Sequence, residues 1–237
     1  MVLRLLWAVT ALLAVGAVLH AGTPAEDSPL LALVDHLVYA TPDLDRSVAD
    51  LERRFGVRAS PGGQHPGKGT RNALLALGPA SYLEIVGPDP SQPAPASPRA
   101  FGIDSLKEPR LVAWAAKGKD LERLRERTGR YGIPLGEVTT GSRKRPDGVV
   151  LSWKFTNPAK VLVDGLIPFF IDWGQSPHPA ESAAPGLKLV ELRAEHPAPQ
   201  AVEPTLRTLG LDLRVSTAPT PALVAIIDGP RGRVELR

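Results

Sequence analysis

Gly62-Gly63-Gln64-His65-Pro66-Gly67-Lys68-Gly69-Thr70-Arg71-Asn72 gathers an imidazole, an ammonium, a guanidinium and a carboxamide on one short, glycine-punctuated stretch. Glycine serves where the backbone must take φ > 0 or approach another group closely. A residue before proline is pushed towards extended backbone, which holds His65 ready to project into a site. An imidazole can move a proton near neutral pH or ligate a metal. Arginine presents a two-pronged donor, and asparagine both a donor and an acceptor, to a carboxylate or carbonyl oxygen. His65 is therefore a catalytic candidate, and Lys68, Arg71 and Asn72 are candidates for substrate binding. The competing reading is a hairpin-like connection whose glycines only make turns.

Other chemistries are excluded. Gly62 to Lys68 has the glycine and lysine spacing of a phosphate-binding loop, but Gly69 replaces the required hydroxyl residue and Pro66 removes an N–H from the cradle. No serine stands in a Gly-x-Ser-x-Gly elbow. The absence of cysteine removes thiol nucleophiles, thiolate metal sites and disulfides, so a metal would need His, Asp or Glu. The formal charge of +3 arises from scattered arginines with few aromatics between them, which argues against nucleic acid as a partner.

The flanking segments read as packed elements. Leu31 to Ala40 alternates as a strand, with Val34, His36, Val38 and Ala40 on one face and Asp35, Leu37 and Tyr39 on the other. Leu44, Val48, Leu51 and Phe55 are spaced for a helix capped by Thr41 or Asp43 and closed by Gly56. Val57 begins a second strand that runs into the glycine stretch, and strands follow over Thr70–Leu77 and Ser81–Val86, completing a βαβββ unit. Pro88 to Pro98 is a proline-rich connector. A second unit follows, with strands at Arg110–Ala116, Val149–Thr156 and Leu166–Trp173 and a helix at Lys119–Tyr131. Asp43-Leu44 matches Asp120-Leu121, and Leu83-Glu84 matches Ile171-Asp172, as in an internal duplication. Residues 187–237 give a compact third unit of the same element order. The expected class is α+β, with βαβββ modules forming a cupped mixed sheet.

The N-terminus follows another rule. Arg4 precedes an apolar or small run from Leu5 to Leu19, too short for a comfortable membrane span. Residues 1–21 read as a signal peptide, cut near Ala17 or Ala21, with an uncleaved membrane anchor as the alternative. Residues 22–30 are a tether. Residues 31–186 form the main domain, with modules at 31–87 and 110–174 and the connector at 88–98. The folded part is expected to be exported, to the periplasm or beyond the cell.

Asp35-His36-Leu37-Val38, the Pro42-Asp43-Leu44 helix start, Gly62-Gly63-x-His65-Pro66-Gly67-x-Gly69-Thr70-x-Asn72 and Tyr82-Leu83-Glu84 together resemble the glyoxalase-like domain of the vicinal oxygen chelate superfamily. The resemblance implies paired modules cupped around a divalent metal, with one ligand from the first and one from the last strand of each module. It carries over to His36 and Glu84 in the first module and to Asp172 in the second, where Ala113 falls opposite His36. His178, at the corresponding end of the second module, is offered as a further ligand. The metal so implied is Zn, Fe, Mn or Ni. Glu84 is also the candidate base, and Trp173 a candidate wall of an apolar pocket for a small-molecule ligand. Two functions follow: metal-assisted lyase or isomerase-type chemistry on a small carbonyl- or diol-containing molecule, or a metal-free binding protein that keeps the cup.

Overall fold

The computed structural model describes residues 29–156 and 162–237. The expected export signal lies outside the described residues, and no described helix is long and apolar enough to cross a membrane.

After a single helical turn, α1 (Pro29–Leu33), the first module runs β1 (Val34–Ala40), α2 (Leu44–Phe55), β2 (Ser60–His65), β3 (Thr70–Gly78) and β4 (Ser81–Pro88). Asp43 caps α2 by accepting from the Arg46 N–H, and Gly56 closes it in left-handed backbone at φ 80°. The second module runs β5 (Arg110–Lys117), α3 (Leu121–Gly129), β6 (Val138–Lys144), β7 (Val150–Thr156) and β8 (Phe169–Asp172). Asp120 caps α3 as Asp43 caps α2. The glycine stretch expected as a shaped loop is mostly the β2–β3 hairpin, paired from Ser60↔Leu74 to His65↔Thr70. The unforeseen β6, rich in Thr, Ser, Arg and Lys, is an edge strand, where apolar alternation is weakest.

Both modules share one eight-stranded sheet, ordered β2-β3-β4-β1-β5-β8-β7-β6. Within each module the first and last strands pair in parallel, β1 with β4 and β5 with β8, and antiparallel β1 and β5 join the halves. The sheet curls until its edges meet. Arg143 on β6 donates to the Gly62 carbonyl on β2. A Cβ on Gly63 would lie 2.9 Å from the Lys144 carbonyl, so only glycine permits this approach. The result is the expected α+β cup, nearly closed.

The third unit, β9 (Lys188–His196), α4 (Pro199–Thr208), β10 (Arg214–Thr217), β11 (Ala222–Gly229) and β12 (Gly232–Leu236), forms its own sheet ordered β10-β9-β11-β12. Its first strand lies beside the second and third rather than the last, so its strand order differs from that of the modules. It shares the main core: Leu189, Leu192, Val202 and Leu206 belong to the same buried cluster as Leu51, Phe55 and Trp114. Two smaller apolar clusters sit inside the cup. One holds Val38, Val86, Ile103 and Ala113, the other Leu74, Ala76, Tyr82 and Ala180. On β4, Tyr82 belongs to one, Val86 to the other, and Glu84 lies between them.

The connector packs on the hairpin. Asp89 accepts from the Gln64 and Gln92 amides, and the Arg99 guanidinium donates to the Gly69 carbonyl. A Cβ on Gly69 would meet Pro95 Cδ at 2.7 Å, which accounts for that glycine.

Candidate functional site

The site begins with a bulge in β1. Val34 pairs with Ala116 and His36 with Ala115, leaving Asp35 as the extra residue. Such an insertion re-aims side chains. Strict alternation puts Asp35 on the face opposite His36; the bulge instead turns both into the cup, where Asp35 Oδ1 lies 2.7 Å from His36 Nδ1. Asp35 Oδ2 also accepts from the Trp173 indole N–H at 3.1 Å and stands 3.2 Å from His178 Nε2. Asp35 and His36 are 1% and 3% exposed.

The imidazole of His36 stacks on Tyr82, ring centroids 4.7 Å apart, and takes the edge of Phe169 on its other side. With an ionised Asp35 accepting at Nδ1, the Nε2 atom of His36 faces the cup. It lies 3.9 Å from Glu84 Oε2. The other Glu84 oxygen accepts from Asn72 Nδ2 at 2.6 Å and is 3.7 Å from His65 Nε2, while His65 Nδ1 reaches Thr70 Oγ1 at 2.9 Å. Three imidazoles and two carboxylates thus alternate along one path: His178, Asp35, His36, Glu84, His65. Water reaches it at His65, His178 and Glu84, whose side chains are 20%, 17% and 12% exposed.

Charge in the site is set by burial and partners. Burial pushes the Asp35 carboxyl up, but hydrogen bonds from His178 and His36 outweigh it and bring it down to about 2, so Asp35 is ionised. Burial, aided by the Arg143 charge, lowers His65 against the pull of Glu84 and favours its neutral form. Burial raises the Tyr82 hydroxyl well above its ordinary range, helped by Asp35 and Glu84, so it stays protonated.

The other expected residues fall in several places. His36, Glu84, His65, Asn72, Trp173 and His178 all face the cup. Arg71 lies on the opposite face, paired at 2.8 Å with Asp45 in the first turn of α2, and Lys68 is exposed in the hairpin turn. Asp172 is not beside the others. It shares strand parity with the core residue Phe170 and lines a hollow of about 310 Å³ against α3 with Asp120 and Lys154. The strand register shows why: Glu84 pairs with Val38 on β1, and the residue in the matching position of the second module, paired with Ala115 on β5, is Phe169. Asp35 and Arg143 were not foreseen as site residues. Asp35 was hidden by assumed alternation, and Arg143 read only as part of a short basic cluster.

This donor set does not fit the metal centre that the resemblance implies. The two second-module positions hold Ala113 and Phe169, which offer no lone pair. His178 is turned to Asp35, and Asn72 directs its N–H groups at Glu84 Oε1 and His65 Nε2. Among the described residues no three His, Asp or Glu side chains converge as ligands. His36 and His65 each face one oxygen of Glu84, at 3.9 and 3.7 Å, and no described second-module side chain joins them.

One solved structure agrees with this architecture over most of the chain. A hypothetical protein from Staphylococcus aureus superposes with a TM-score of 0.60 at 15% identity, over 80% of this chain and 87% of that one. Methylmalonyl-CoA epimerase from Mycobacterium tuberculosis gives 0.40 at 20% identity over 61% and 90%, and a hypothetical protein from Bacillus halodurans C-125 gives 0.42 at 18% over 61% and 96%. No curated protein sequence matches at a significant level. The family model of the glyoxalase-like domain matches residues 34–210, which spans both modules and the start of the third unit. The chain belongs to the glyoxalase-like domain family.

Proposed function

We propose that this protein carries out proton-transfer chemistry of the isomerase or lyase type on a small carbonyl-containing molecule bound in the cup. The observation that carries the reading is the pair formed by Glu84 Oε2 and His36 Nε2, facing each other at 3.9 Å with each far side anchored. Asn72 holds Glu84 as a carboxylate acceptor, and Asp35 orients the His36 ring by its contact at Nδ1. Glu84 takes a proton from the carbon beside the carbonyl, and protonated His36 delivers one from Nε2 to the resulting enolate. Proton return from Glu84 to His36, directly or through one water, resets the pair. Tyr82 and Phe169 fix the plane of the imidazole and limit water around it. Export accompanies this proposal, supported by Arg4 and the apolar run Leu5–Leu19.

The test is hydrogen–deuterium exchange at carbon, followed by NMR, across aldehydes, ketones, 2-oxo acids and diols. Exchange with one class, abolished in Glu84→Gln and His36→Ala, supports the proposal. Absence of exchange throughout, with ligand binding retained, overturns it in favour of the binding-protein reading, which Ala113 and Phe169 favour by supplying apolar walls where the family pattern has ligands.

A further inference from the structure

Among the described residues, Arg143 is a buried cation with no carboxylate paired to it. Its residue is 4% exposed, yet its guanidinium makes no ion pair with any described carboxylate; its one hydrogen bond to a described residue is donated from Nη1 to the Gly62 carbonyl. Burying an unpaired charge is costly, and a guanidinium has five N–H donors to satisfy. It faces the cup: on β6, Gly141 and Arg143 share a face, and Gly141 lies under Trp153, which packs on Trp173, itself bonded to Asp35. Its charge reaches Glu84, Tyr82 and His65.

A buried acceptor without a donor adjoins it. Asn72 Oδ1 is buried without a hydrogen-bond donor, in a residue 5% exposed. Both Asn72 and Arg143 abut Gly62, one against its Cα and the other at its carbonyl. The cup therefore presents a planar cation with spare donors next to Asn72, which holds Glu84 of the Glu84–His36 pair. The ligand chemistry that satisfies this cation is an acid, with its carboxylate for Arg143.

We propose that the cup takes small carboxylates, 2-oxo or 2-hydroxy acids in type, with the carboxylate held by Arg143 and the adjoining carbon presented to Glu84 and His36. This deepens the proton-transfer reading above and rests on it for the orientation alone. A guanidinium–carboxylate contact of this kind contributes about tenfold or more in affinity.

The experiment is isothermal titration of the folded chain with pyruvate, 2-oxobutanoate and lactate, each against its methyl ester. The expected result is saturable binding of at least one acid, about tenfold or more tighter than its ester, with that preference lost in Arg143→Gln. Because Arg143 also joins the sheet edges, the variant is first checked by circular dichroism. If it is unfolded, Arg143→Lys takes its place and is expected to weaken the acid about tenfold while leaving the ester unchanged. No saturable binding of any acid, equal binding of acid and ester, or a preference that survives the substitution overturns the inference. Carbon exchange separates the two proposals: acid binding without exchange leaves this one standing and removes the other, and exchange on neutral ketones without acid preference does the reverse.

Discussion

Asp35 and His36 are neighbours in the chain and partners in space, with Oδ1 and Nδ1 2.7 Å apart on the same face of β1. Only the bulge between Val34 and His36 permits it, because adjacent residues of a regular strand point to opposite faces. A carboxylate is thereby placed behind the imidazole, while Trp173 and His178 fill its other lone pairs. Asp35→Asn keeps the shape but loses the charge. It is expected to destabilise the fold by about 2 kcal/mol, by weakening buried charge-assisted hydrogen bonds, and to reduce carbon exchange. Urea unfolding and the NMR exchange assay check the two effects separately.

Stability should depend on pH through the same residue. The folded carboxyl of Asp35 sits at about 2 against 3.8 for the ordinary group, so the unfolded chain binds the proton more readily. Its contribution, about 2 kcal/mol, is present above pH ~4 and lost as pH falls towards 2. His65 is also lowered by folding, and it adds a loss of stability as pH drops below its ordinary 6.5. Unfolding free energies measured from pH 7 down to 2 are expected to fall in both ranges. Asp35→Asn should flatten the lower one and leave the upper one in place.

Gly62→Ala tests the hairpin's role in the site. A Cβ there would come 2.1 Å from Asn72 Oδ1, so Asn72 must move and its hold on Glu84 is lost. The expected outcome is a loss of about 1–3 kcal/mol in stability, together with loss of exchange activity. Gly67→Ala in the same hairpin meets no atom at its Cβ, though its φ of +71° carries strain. It should cost about 1 kcal/mol and spare activity. Equal loss of activity in both variants would count against the role assigned to Asn72.

Chelation is expected to leave the thermal midpoint unchanged. His36 and Glu84 face each other, but the equivalent second-module positions are Ala113 and Phe169, which cannot complete a coordination shell. Elemental analysis of the folded chain, before and after dialysis against a chelator, checks the metal content alongside the midpoint. A drop in midpoint that Zn²⁺, Mn²⁺, Ni²⁺ or Fe²⁺ restores would show that other groups close the shell.

The third unit should not be separable from the modules. Leu189, Leu192, Val202 and Leu206 share one core with Phe55, and Arg231 donates its backbone N–H to the Phe55 carbonyl. Leu206→Ala, fully buried in that core, is expected to cost about 2–5 kcal/mol. One cooperative denaturation transition for the variant, detected alike by far-ultraviolet circular dichroism and tryptophan fluorescence, is the expected outcome; two separate transitions would show an independent unit.

Much of this architecture was legible in the chain. Helix spacing, the Asp43 and Asp120 caps, Gly56 and the apolar strands are local signals, since each depends on residues a few positions apart. His36, Glu84, His65 and Asn72, singled out on strand faces or within one recognisable stretch, lie together in the cup for the same reason. β6 escaped because an edge strand need not be apolar, and Asp172 was misplaced because the second module has different spacings between strands. What the sequence by itself determined was the order of elements and the residue types available for chemistry. The tertiary structure alone decided that a bulge turns Asp35 inward, that Phe169 rather than Asp172 faces His36, and that the sheet closes to bury Arg143. Each of these depends on strand register between segments distant in the chain, and a one-residue change of register moves a side chain to the other face.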